Sequence, residues 1–160
     1  MDIKLLLQQY IDNNLETDQL KCRTFKKAFF ECDMCSANID EYIKEEKDES
    51  KFQKLLFKYI DSKNLKDSDV YNKVHIDRRL FSKIRSDSDY HPSKETVILL
   101  GLALELNEVE IEELLNSASY SLPKNNVYDL IIRFCFIEGI YDLTEVNNLL
   151  DSYECKLFSY

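Results

Sequence analysis

Apolar residues recur three and four positions apart along most of the chain, the spacing that lines one side of an α-helix. Ile3, Leu6, Leu7 and Tyr10 mark a short amphipathic helix over residues 2–12. Thr17 and Asp18 are placed to cap a second, with Leu20, Phe25 and Phe29 on its apolar side, and Ile39, Tyr42 and Ile43 fall together on a third. Lys44 to Ser50 holds no apolar residue and reads as an exposed helix end or a linker. The first boundary is set there, separating an N-terminal helical segment, 1–50, from the rest of the chain.

From Phe52 the pattern tightens. Phe52, Leu55, Leu56, Tyr59 and Ile60 line a helix of about three turns. Residues 67–73 form a short second helix with Val70 inward and Asp67 in its first turn, where a carboxylate suits the helix dipole. The chain turns at Val74-His75-Ile76, and Asp77 caps a third helix. There Leu80, Phe81 and Ile84 face the core, Arg78, Ser82 and Arg85 share an exposed face, and Arg79 and Lys83 lie beside it. Ser93 caps a fourth helix, apolar almost all round from Val97 to Leu106, which must therefore be central and buried. Asn107 ends it, and a fifth helix opens with Glu108 and Glu110 and turns Val109, Ile111, Leu114 and Leu115 inward. Residues 51–120 thus make a bundle of five helices.

After Ser121-Leu122-Pro123, a C-terminal helical extension occupies 121–160. Leu130, Ile131, Phe134 and Ile137 give a helix over 126–138 that stops at Gly139, which tolerates a left-handed cap. Asp142 and Glu145 stand at capping-box spacing before a last helix with Val146, Leu149 and Leu150 on its stripe. The tail from Cys155 to Tyr160 ends on aromatic residues that look exposed and suit packing onto a second copy.

Composition agrees with an all-α fold, because two Gly and two Pro supply few of the tight turns a sheet protein needs. No apolar run reaches the roughly 18 residues that span a bilayer, and the opening Met-Asp-Ile-Lys lacks signal-peptide character, so a cytoplasmic location is expected. Five cysteines in such a chain read as reduced thiols. Cys32 and Cys35 have the spacing of half a zinc site and Cys22 offers a third thiolate, but no fourth ligand lies near, so these read as small apolar residues and Cys135 as core. His75 and His91 read as turn residues. No phosphate loop, nucleophile elbow or metal-binding His pair occurs, so neither an enzyme nor a cofactor is expected. The net charge of −9 opposes general attraction to a polyanion, although the middle of the chain is its least acidic part.

Residues 52–106 resemble the λ-repressor/Cro-like helix-turn-helix family. The likeness is carried by the amphipathic first helix, by Leu65-Lys-Asp-Ser-Asp-Val, by Ile76-Asp-Arg-Arg-Leu-Phe-Ser-Lys-Ile and by Leu102-Ala-Leu-Glu-Leu. With Tyr90-His-Pro-Ser-Lys, the Tyr128-Asp-Leu-Ile helix and Tyr141-Asp, it is also similar to a module of bacterial helix-turn-helix proteins that occurs alone or joined to other domains. The resemblance implies a λ-repressor-like five-helix bundle with extra N-terminal and C-terminal helices. It implies that helix 77–85 enters the DNA major groove, with Arg78, Arg79, Ser82 and Lys83 as contacts and Lys94 on a backbone phosphate. Asp67, Tyr71, His75, Asp87 and Asp89 depart from the family pattern, which commonly has Gln, a small residue, Gly and basic residues at these places.

Two functions are compatible with these residues. One is a sequence-specific duplex-DNA-binding transcriptional regulator, acting as a dimer because a single recognition helix reads only a short half-site. The other is an acidic protein-interaction module, an inhibitor or adaptor in a defence or toxin-neutralising system, that keeps the bundle as scaffold and meets a basic protein partner. In the second, Asp87 and Asp89 neutralise the arginines and the cluster is a solvated surface.

Overall fold

A computed structural model describes residues 3–21 and 51–159, with side chains for 3–15 and 51–159. These residues are all-α, with no strand, in eight helices: α1 (Ile3–Lys21), α2 (Lys51–Ser62), α3 (Asp67–Lys73), α4 (Arg78–Ser86), α5 (Lys94–Ala103), α6 (Glu108–Ser117), α7 (Val127–Glu138) and α8 (Leu143–Asp151). None is long and apolar enough to cross a membrane.

The most apolar segment sits deepest. Val97, Ile98, Leu100 and Leu102 of α5 have no measurable exposure, and full burial of each such side chain is worth about 1.5–3 kcal/mol. Helices α3 and α6 pack on α5, α2 packs on α6, and α7 lies against α6, α1 and α8. A single apolar core runs from Leu7 of α1 to Phe158 in the C-terminal tail.

Helix α1 is seated by the buried Leu7 and Ile11, by Tyr10 tilted on Phe134 of α7 at 5.5 Å, and by the Tyr153 hydroxyl donating to Gln8 at 2.7 Å. It passes without a break through Thr17 and Asp18, so the expected cap and second helix at that point are corrected. No Gly or Pro interrupts residues 3–21, and good N-cap residues do not by themselves stop a helix already formed. The stripes predicted on Phe25 and Phe29 and on Ile39, Tyr42 and Ile43 lie outside the described residues, as do Cys22, Cys32 and Cys35.

Most ends fall where local chemistry puts them. Asp77, Ser93, Asn126 and Asp142 accept backbone N–H bonds as N-caps of α4, α5, α7 and α8. Gly139 closes α7 at φ 70°, and His75 occupies the left-handed region at φ 54° between α3 and α4. Asn107 does not end α5, which stops at Ala103 with Glu105 left-handed at φ 49°. Instead Asn107 opens α6 through a reciprocal capping box with Glu110.

Three apolar positions depart from expectation. Val109 is 73% exposed, because two residues before Ile111 is nearly the opposite side of a helix. Ile137 at the end of α7 is also exposed. Phe158, by contrast, is buried rather than free for a second copy: the Asn147 amide donates to its carbonyl at 3.2 Å and accepts from its N–H at 2.9 Å.

Helices α5 and α6 approach closely at Gly101, where an added methyl group would collide with Ile111 and press on Phe136 at 3.2 Å. Gly101→Ala sets an overpacking cost of about 1–3 kcal/mol against a helix-propensity gain of about 1 kcal/mol, so a net loss of up to about 2 kcal/mol is expected, read as a lower urea midpoint with an unchanged slope.

Candidate nucleic-acid interface

Helix α4 buries Phe81 and Ile84, rests Leu80 half-buried on the core, and leaves the remainder of its surface to solvent. Its first turn is set by Asp77, whose carboxylate accepts the Arg79 N–H at 2.6 Å. The structure brings Arg78, Arg79, Ser82 and Lys83 together on that exposed surface. Among the described residues no carboxylate pairs with Arg78, Arg79 or Lys83. The Lys83 ammonium instead lies over the Tyr90 ring, 4.6 Å from its centre.

The neighbouring Arg85 is already engaged. Arg85 lies over the Phe57 ring at 4.6 Å and donates to Asp67 at 3.2 Å, which fixes the first turn of α3 to the last of α4. Asp67 is thus half-neutralised by an arginine rather than turned bare toward solvent. Asp87 caps the end of α4 and accepts the Asp89 N–H at 3.1 Å, and among the described residues neither aspartate takes an arginine of α4. The Gln53 amide of α2 anchors the same end, donating to the carbonyls of Ile84 at 2.6 Å and Asp87 at 2.7 Å. With both carbonyls satisfied inside the protein, the C-terminal end of α4 is held down while its N-terminal turn stays open to solvent.

Lys94 stands apart from this group. Its side chain is 29% exposed and its ammonium donates at 2.6 Å to Asp129, a carboxylate only 3% exposed on α7. That ion pair fastens the start of α5 to the start of α7. Arg133, donating to Glu108 and Glu112, similarly ties α7 to α6.

The roles of Gln53, Asp129 and Tyr90 leave only a faint trace in the amino-acid pattern. Gln53 stands beside the apolar stripe of α2, and Asp129 interrupts the run from Val127 to Ile132. A polar residue bordering an apolar face is the one signal on offer, and it does not name its partner. Cys135 is fully buried, which pushes its thiol up to about 12, and among the described residues no group of His, Cys, Asp and Glu could hold a metal ion. His91 lies in the loop before α5, its Nδ1 3.1 Å from the Pro92 carbonyl.

These charges have measurable effects. Lys94→Ala leaves the Asp129 carboxylate buried and unpaired, and should cost roughly 1–3 kcal/mol of stability by urea denaturation, less than a fully buried pair because Lys94 is partly solvated. The Glu105 carboxyl accepts a bond from Lys73, whose charge also favours the ionised form, so it is held below the usual carboxylate range. Its contribution to stability is present above the unfolded pKa and lost as pH falls through the folded one. Carbon-13 NMR should show Glu105 titrating low, and returning toward the ordinary value in Lys73→Ala. No protein-family model matches the chain, and no curated protein or solved structure is detectably similar to it, so its function has to be read from these side chains.

Proposed function

We propose that the chain is a sequence-specific duplex-DNA-binding transcriptional regulator that presents the N-terminal part of α4 to the major groove. The observation that carries this reading is the open first half of α4, where Arg78 and Arg79 stand exposed with no carboxylate partner among the described residues. An arginine can place two N–H groups on the O6 and N7 acceptors of guanine, and Ser82 and Lys83 extend the same surface. The succession of α2 to α6 and the turn at His75 between α3 and α4 are the features that support a λ-repressor/Cro-like docking, and that docking is the geometry proposed. One recognition helix reads a half-site, so the active species is a dimer.

The residues around this surface narrow the reading. Lys94 belongs to the core ion pair with Asp129 and Arg85 to the pair with Asp67, so phosphate contact falls to fewer cations than the sequence offers. Binding should therefore depend on base contacts more than on bulk charge. The Arg85–Asp67 pair also favours a second reading, in which the α3–α4 unit is a scaffold and an acidic surface elsewhere docks a basic protein partner.

A gel-shift titration against the DNA upstream of the protein's own gene, run at two salt concentrations, tests the first. Arg78→Ala and Arg79→Ala should each lose about 1–3 kcal/mol of discrimination between specific and random duplex, and affinity should fall with salt. No specific shift at either salt concentration, together with a protein complex that survives both substitutions, would establish the second reading in its place.

A further inference from the structure

Beside α4 runs a cleft of about 550 Å3, bounded by the C-terminal end of α2, the start of α3 and the exposed side of α4. Its volume lies within the range of roughly 300–1,000 Å3 typical of small-molecule sites. The floor is apolar and aromatic. Ile60 and Phe81 are buried beneath it, Leu65 lies at one edge, and the half-buried Tyr71 ring tilts against Phe81 at 5.6 Å.

The rim is polar and unevenly charged. Arg85 and Asp67 cancel each other at 3.2 Å, which leaves Lys66 and Arg78 against Asp61, one positive charge in excess. Arg78 has no carboxylate partner among the described residues, and Ser82 stands one helical turn after it on the same side. An open guanidinium, a hydroxyl beside it and an aromatic floor below describe a receptor for a flat apolar body carrying a single negative charge.

We propose that this cleft binds a small aromatic carboxylate, its ring on Tyr71 and above Phe81 and its carboxylate on the Arg78 guanidinium and the Ser82 hydroxyl. A planar guanidinium donates two parallel hydrogen bonds to a carboxylate, so the charge also fixes the ring's orientation. A nucleoside monophosphate fits less well, since a phosphomonoester carries nearly two negative charges at neutral pH and the rim offers only one positive charge in excess. Where the DNA-binding reading holds, the ligand and a guanine compete for Arg78, and the small molecule releases the duplex.

The test is isothermal titration of the full chain, without DNA, using indole-3-acetate as probe. Saturable one-to-one binding is expected, with the neutral indole-3-acetamide and the dianionic adenosine 5′-monophosphate each at least roughly tenfold weaker. Arg78→Ala, a substitution at an exposed position, should weaken the probe by the same factor with an unchanged circular dichroism spectrum. Arg79→Ala, which does not line the cleft, should leave probe affinity within about twofold while weakening any duplex binding. Absence of saturable binding, equal affinity for the amide, tighter binding of the nucleotide, or an Arg78→Ala protein that binds like the parent would each overturn the assignment. Because the titration contains no DNA, its result stands whether or not the gel-shift experiment finds an operator.

Discussion

A helix without a polar face has to be enclosed on every side, and α5 is such a helix. Seven of its ten residues are buried, so the chain must supply cover around it, and α3 and α6 do so directly. Helix α7, with Leu130, Ile131 and Ile132 buried in succession, is likewise covered from several sides by α6, α1 and α8, whereas α4 needs only one apolar side. That leaves α4, with Phe81 and Ile84 inward, at the periphery with its basic residues outward. The position of the candidate interface is thus a by-product of where the oiliest segment had to go.

Electrostatics then divides the cations into two kinds. Lys94 and Arg133 meet acids that are buried or lie across a helix junction, and their charge is spent on holding α5, α6 and α7 together. Arg78 and Arg79 meet no acid among the described residues, although the chain carries an excess of acids over bases. In a protein of net charge −9, Arg78, Arg79 and Lys83 gathered on one exposed helix surface, with no carboxylate paired to them among the described residues, are a local exception to the general field. Any polyanion that approaches must find that island against a repulsive background, which favours a close, shape-dependent contact over loose attraction.

Much of the architecture was legible because it depends on neighbours in sequence. The 3.6-residue stripes placed α2, α4, α5, α7 and α8, and single polar residues such as Asp77, Ser93 and Asp142 marked where helices begin. Thr17 and Asp18 misled because cap residues are also tolerated inside a helix, and Val109 because it lies nearly opposite Ile111 around the helix. The candidate surface was legible in part. Helical spacing put Arg78, Arg79, Ser82 and Lys83 on the outside, but which cations stay open depends on residues far away in sequence. Asp129 lies 35 residues from Lys94, Gln53 lies 31 from Ile84, and periodicity carries no information about such partners.

The shared core has a practical side. Leu7 and Ile11 from one end of the chain, and Leu130, Phe134 and Phe158 from the other, fill the same apolar interior as the middle helices. Trimming the protein to residues 51–120 would strip the outer side of α6 of its neighbour α7 and leave Glu108 and Glu112 without Arg133. The fragment would be sticky as well as less stable, so the smallest useful piece for crystallisation or binding work is one that retains α1, α7 and α8.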